Sequence, residues 1–174
     1  QKDIELTVAK DEAVRKLCIK AEELLKAQKL PKALEEYRKA QELDPNNWDL
    51  YYYEAEVLAK LGKYEESIVS VQKGLSIVPN IPHFYVLWCN NLIALGQFDA
   101  AKNVCQVSLS ITPINTLINS AWRHAELCYR TKMAVEFSDE AKRIVNEDNL
   151  TAISKMSEAI HLDKENVEFR LFRA

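Results

Sequence analysis

Three histidines, four cysteines and adjacent glutamates such as Glu22-Glu23 and Glu65-Glu66 are side chains of this sequence with reactive chemistry to offer. His83, His124 and His161 stand far apart. None is set among Cys, Ser or carboxylate residues in a pattern that suggests a nucleophile or a metal site. Cys18, Cys89, Cys105 and Cys128 are equally dispersed, with no CxxC pair, and read as reduced thiols rather than a disulfide framework. Glu22-Glu23 and Glu65-Glu66 read as solvated helix faces. A glycine-rich phosphate loop is absent, since the sequence holds only 3 glycines. These residues predict no enzyme, no cofactor and no metal. What does cluster is aromatic: Trp48, Tyr52 and Tyr53, a group that can anchor a partner.

The elements that would position such a cluster follow from composition. With 3 Gly and 5 Pro in 174 residues, few breakers are left for the turns of a sandwich or barrel, and the chain reads as helical. Its 23 Lys and Arg against 26 Asp and Glu give a net charge of −3, too balanced for a sequence-independent nucleic-acid binder. No run approaches the roughly 18 to 20 apolar residues of a membrane span. Reduced thiols and the lack of a signal peptide predict a cytoplasmic protein, with the nucleus also open.

An internal repeat organises the helices. Pro45, Pro79 and Pro113 recur every 34 residues. The same shift aligns small residues (Ala21, Ala55, Cys89; Ala33, Ser67, Ala101; Ala40, Gly74, Ser108) and large apolar ones (Leu24, Leu58, Leu92; Leu30, Tyr64, Phe98; Leu43, Ile77, Ile111). Gly62 and Gly96 match Gln28 at a turn between them. Each unit therefore reads as two helices, with a left-handed cap after the first and proline ending the second. Small columns let paired helices approach to about 8 to 10 Å, and larger columns fill the space between neighbouring pairs. Cys89 and Cys105 fall in small columns and are expected in the core. A single pair cannot bury its own apolar face, so pairs must stack.

Leu43-Asp-Pro-Asn-Asn47, the segment Ala33 to Ala40, and the turn Leu61-Gly-Lys-Tyr64 resemble the tetratricopeptide repeat (TPR) family. The resemblance implies an all-α fold, a right-handed α-α superhelical solenoid of TPR helix pairs. It divides the chain into three repeats within 1–115 (14–47, 48–81 and 82–115) after a short N-terminal lead. An inserted helical extension follows over 116–132. Residues 133–174 then hold one further repeat (133–166) and the start of another. Between Asn115 and Met133 the register slips by 17 residues, half a repeat. Leu117, Ile118, Ala121, Trp122, Ala125, Cys128 and Tyr129 form a stripe of their own there. With no Gly or Pro after 113, one long helix is expected at the 116–146 register break, roughly 45 Å long. Two helices with a turn near Thr131-Lys132 are the alternative. Ala174 falls partway through a repeat helix, so the chain is expected to be a segment of a longer protein.

Repeat arrays of this kind bind on the face lined by the first helix of each pair. Helical spacing puts Arg15, Cys18, Glu22 and Lys26 there from the first repeat. The second supplies Asp49, Tyr52, Tyr53, Glu56 and Lys60, and the third His83, Leu87 and Asn90. Trp48 is expected to pack between repeats, and Cys18 to be the thiol most open to reaction. Chaperone-binding members of the family clamp a C-terminal carboxylate with Lys, Asn, Asn, Lys and Arg. The matching positions in this chain are Cys18, Glu22, Tyr53, His83 and Leu87, and none fits. Of the last partial repeat, Arg173-Ala174 fits but Phe172 does not. The expected function is a non-catalytic scaffold for protein–protein interaction. The partner is a peptide or protein segment in the groove, or the rest of the same polypeptide. A carboxylate-clamp chaperone tail, nucleic acid and membrane insertion are not expected. The alternatives are a co-chaperone that holds clients or links to chaperones, and a targeting or regulatory segment of a larger enzyme.

Overall fold

A left-handed residue closes the first helix of each of three pairs. The computed structural model describes residues 2–113, 115–145 and 148–164, with side chains from Thr7 onward. Gly62 and Gly96 hold φ at 75° and 72°, and Gln28 takes 57° at the matching position. The hydrogen bonds are the same each time. Lys63 N–H donates to the Leu58 carbonyl at 2.9 Å and Gly62 N–H to Ala59 at 3.0 Å; Lys29 to Leu24 and Gln97 to Leu92 repeat the longer loop. These bonds satisfy carbonyls that the helix end would leave open. A Cβ added at Gly62 or Gly96 would meet nothing within 4 Å, so glycine is there for its backbone, not for space.

Among the described residues the chain is all helix, with eight helices and no strand. They are α1 (Lys2–Lys26), α2 (Leu30–Leu43), α3 (Trp48–Lys60), α4 (Tyr64–Ile77), α5 (Pro82–Ala94), α6 (Phe98–Ile111), α7 (Thr116–Ile144) and α8 (Asn149–Leu162). The chain divides into two compact units, Gln1–Trp122 and Arg123–Ala174.

In the first unit each helix packs on the next from α1 to α6, and α3 also touches α5. The small columns are where the helices meet. Ala21, Ala55, Cys89, Ala33, Ser67, Ala101 and Ala40 are wholly buried, and Ser108 nearly so. Gly74 is small for a different reason than the turn glycines: a Cβ there would lie 2.1 Å from Phe84 Cζ. Leu34, Tyr37, Val57 and Leu58 fill the space around Ala21 and Ala33. Phe84 does the same against Ala55 and Val71, with Trp48, Tyr52 and Leu87 packed on its flanks. One large column departs from expectation, since Leu43 and Ile111 are exposed. Each is the last residue of its helix; Ile77, which ends α4 in the same column, is half-buried.

Polar groups tie the repeats together as well. The Tyr51 hydroxyl donates to the Pro45 carbonyl at 3.0 Å and Tyr85 to Pro79 at 2.8 Å, holding each proline bend against the helix that follows. Glu54 is buried on α3 and accepts from Arg38 at 2.7 Å, Gln41 at 2.9 Å and Ser70 at 2.8 Å, so it bridges α2 and α4. Burial works to raise its pKa, but those three donors outweigh it and hold the carboxyl below the usual range.

The register break is a single helix: α7 runs unbroken through Thr131 and Lys132, and the two-helix alternative is excluded. Asn115 starts it by accepting the Leu117 and Ile118 N–H groups at 3.0 and 3.1 Å. Within the first unit, Ile118 and Ala121 are buried, whereas Leu117 is exposed. The second unit pairs the rest of α7 with α8. Ala134 and Ala141 pack against Met156 and Ala159, flanked by Phe137, Ile160 and Leu162. Asp148 caps α8 by accepting from Leu150 and Thr151. Leu150 and Ile153 of α8 are exposed. The start of a further repeat over 167–174, including Phe172, Arg173 and Ala174, lies outside the described residues.

Candidate functional site

The site is built from α1, α3 and α5, the first helices of their pairs. Their small residues Ala21, Ala55 and Cys89 face the packed side. The residues on the adjacent flank of each helix, such as those immediately following the small residue, are therefore turned off that packed side. On α1 this leaves Arg15, Glu22 and Lys26 exposed and Cys18 half-buried. On α3 it leaves Tyr53 38% exposed, Asp49, Tyr52 and Glu56 half-buried, and Lys60 exposed. On α5, His83 and Asn90 are exposed and Leu87 is half-buried against the core around Phe84.

Aromatic rings join these helices into one surface. Tyr53 stacks on buried Tyr37 of α2, with centroids 5.4 Å apart and planes 20° from parallel. Tyr52 meets Tyr53 edge-on at 6.1 Å, His83 at 6.3 Å and Phe84 at 5.5 Å. Trp48 packs edge-on against Phe84 at 6.2 Å, in the position expected of a residue between repeats. The Tyr52 hydroxyl donates to Glu56 at 3.2 Å, and burial, helped by that carboxylate, pushes its pKa up to about 12. It is a neutral donor throughout the physiological range. Rings fixed by packing lose little further entropy on binding, which makes such a row an efficient anchor.

Arg15, Cys18, Asp49 and Tyr53 also line a single cavity of about 320 Å³ between α1 and α3, floored in part by Val14 and Leu50. Burial raises the Cys18 thiol, and the Glu22 and Asp49 carboxylates raise it further. The thiolate is the reactive form, so this environment disfavours the reaction expected of Cys18. Tyr53 responds in the same direction, first to burial and then to Asp49 and Glu22. Two neighbouring groups thus register the same negative potential. Sequence spacing brought Arg15, Cys18, Glu22, Asp49, Tyr52, Tyr53, Glu56 and His83 together. Lys26 and Lys60 lie in the last turns of their helices, apart from the rings. Tyr37 was missed. It sits on α2, and only its stacking partner marks it as part of the surface.

No group of three His, Cys, Asp or Glu among the described residues could hold a metal ion. Nor is any described helix long and apolar enough to cross a membrane. Cys89 and Cys105 are buried, as their columns predicted.

Comparison with known proteins follows the same lines. The family model described as TPR repeat matches residues 21–62. No curated protein matches the chain by sequence. Among solved structures, the chain is similar to the first TPR of Spaghetti (RPAP3) bound to the HSP90 peptide SRMEEVD, with TM-score 0.59 and 20% identity over 66% of this chain and 90% of that one. The TPR2B domain of yeast Sti1, in a pHsp70 complex, gives 0.60 and 19% over 66% and 96%. MamA from Desulfovibrio magneticus RS-1 gives 0.60 and 17% over 92% and 81%. At these identities the likeness is one of fold. Paired helices on a 34-residue period, left-handed turns at matching positions, and the sequence match at 21–62 give the chain the all-α fold of stacked tetratricopeptide repeat helix pairs.

Proposed function

We propose that the chain is a non-catalytic interaction module that holds an extended polypeptide segment on the face of α1, α3 and α5. The observation that carries this is the ring row from Tyr53 through Tyr52 to His83, backed by Tyr37 and left partly open. Solved relatives of the same fold are described as bound to peptides: an HSP90 peptide for the Spaghetti domain, an Hsp70 partner for the Sti1 domain. The three repeats 14–47, 48–81 and 82–115 would supply this surface, with the rest of the polypeptide as a further source of the bound segment.

An acidic chaperone tail does not suit this face. The clamp positions carry Cys18, Glu22, Tyr53, His83 and Leu87, and an EEVD-like end would approach Glu22 and Asp49 at the point where Tyr53 already senses them. A setting in the cytoplasm or nucleus agrees with four cysteines that form no disulfide.

The test is selection of a random displayed peptide library on the intact chain, followed by binding measurements on synthesised winners. Tyr53→Ala should weaken the winners by about 30-fold, the effect of an aromatic anchor worth about 2 kcal/mol. Val69→Ala, on exposed α4 surface, should change nothing. Peptides that bind equally to Tyr53→Ala but are lost with Val69→Ala would place the binding face elsewhere.

A further inference from the structure

The cavity between α1 and α3 has a charge pattern that the ring row does not account for. Its lining carries Asp11, Asp44 and Asp49 against one cation, Arg15. Lys10 binds Asp44 at 2.9 Å and neutralises that carboxylate. Glu22, one turn along α1 from Cys18, adds its charge to the same wall, where both Cys18 and Tyr53 respond to it. Arg15 is exposed and its charge is also felt by Glu12 of the same helix, so against Asp11, Asp49 and Glu22 negative charge remains in excess.

Asp49 has no side-chain partner among the described residues; it lies in the first turn of α3, where the helix N-terminus favours a carboxylate. It is half-buried, and burial shifts its carboxyl upward. Its neighbour Glu54 shows the contrast, since there three donors are bonded to a buried carboxylate. A partly desolvated carboxylate is stabilised by a cation that displaces the remaining water. The rest of the lining suits a long aliphatic stem: Val14, Leu50 and the exposed part of the Tyr53 ring, whose face attracts a cation. The volume, about 320 Å³, is at the small end of ligand pockets and matches a side chain better than a cofactor.

We infer that this cavity receives an arginine or lysine side chain of the bound peptide, with Asp49 as its counter-charge and the Tyr53 ring as its wall. The inference rests on the reading of this face as peptide-binding, and names the chemistry of the peptide: a basic residue within an otherwise uncharged or apolar stretch.

The same library selection, with the winners sequenced and synthesised, tests it. Winners should share one basic position, and replacing that residue with glutamine should cost about tenfold in Kd, as should Asp49→Asn. Arg15→Gln should tighten the same peptides about two- to threefold, since it removes an exposed repelling charge. Opposite effects from two neighbouring substitutions cannot come from misfolding. Thermal melts of both variants would show whether the fold is intact. Winners that depend on Tyr53 but lack a basic position, or that carry Asp or Glu there, overturn this inference and leave the peptide-binding face standing. No Tyr53-dependent winner at all overturns both.

Discussion

Gly74→Ala is the substitution whose outcome the structure fixes most tightly. In an unconstrained helix it would stabilise, because alanine is favoured over glycine by about 1 kcal/mol. At this position the added Cβ would stand 2.1, 2.6 and 2.9 Å from three atoms of the Phe84 ring. Carbon atoms prefer about 3.5 to 4.0 Å, so the ring would have to withdraw by more than roughly 1 Å. It has nowhere to go. Phe84 is fully buried, with Ala55 and Val71 in its cluster and the edges of Tyr52 and Trp48 at 5.5 and 6.2 Å. Overpacking costs about 1 to 3 kcal/mol, and contacts this short against an enclosed ring belong to the upper half of that range, about 2 to 3 kcal/mol, so a net loss of about 1 to 2 kcal/mol remains after the helix gain. Urea unfolding followed by tryptophan fluorescence, with Trp48 against the displaced ring, measures it. Phe84→Leu should destabilise alone yet recover much of the loss when combined with Gly74→Ala, a favourable coupling in a double-mutant cycle. The ring also abuts Tyr52, so Gly74→Ala should weaken peptide binding too. A variant as stable as the parent, or more so, would refute the close approach of α4 to Phe84.

Other expectations are simpler. Gln28→Gly should stabilise the chain by up to about 1 kcal/mol in a thermal melt, because Gln28 holds φ 57° where the matching repeats have glycine. Glu54→Gln should cost about 1.5 to 3 kcal/mol at neutral pH through its charge-assisted hydrogen bonds. Because the Glu54 pKa is depressed in the folded state, its contribution is complete above the ordinary value of 4.5 and is lost as pH falls through the lower folded value. The variant's stability should therefore fall less steeply than the parent's across that acid range. Thiol labelling of native protein should be slow at Cys18 at neutral pH, since burial and carboxylates hold it protonated; rapid labelling there would contradict the charge assigned to the cavity.

Much of the fold could be read from spacing because repeats sample one packing problem several times. A column such as Ala21, Ala55 and Cys89 is small in each repeat since each meets the same helix crossing. The long α7 was legible from the absence of breakers after Pro113. Exposed Leu43 and Ile111 were misread because a column records the type of residue and not its cover: Ile77 of the same column is half-buried. Buried Glu54 carries no sequence signal: Arg38, Gln41 and Ser70 converge on it from two other helices. Tyr51 and Tyr85 do stand 34 apart, and their shared bond to a proline carbonyl was within reach of the same alignment. At the site, periodicity found the face but could not rank its tyrosines. Tyr52 is held by Phe84 and Glu56, while Tyr53 stays more open because its partner Tyr37 backs only one side.

Site-specific photo-crosslinking tests the central reading most directly. A photoreactive phenylalanine analogue would replace, one at a time, Tyr53 and Asn90 on the ring-bearing face, and Val69 and Val107 on exposed second helices. With a selected peptide or with the intact protein's own partner, adducts should form from positions 53 and 90 and be suppressed by excess unlabelled peptide. Equal or stronger adducts from positions 69 and 107 would show that polypeptide is held on the second helices instead, and would contradict a binding face on α1, α3 and α5.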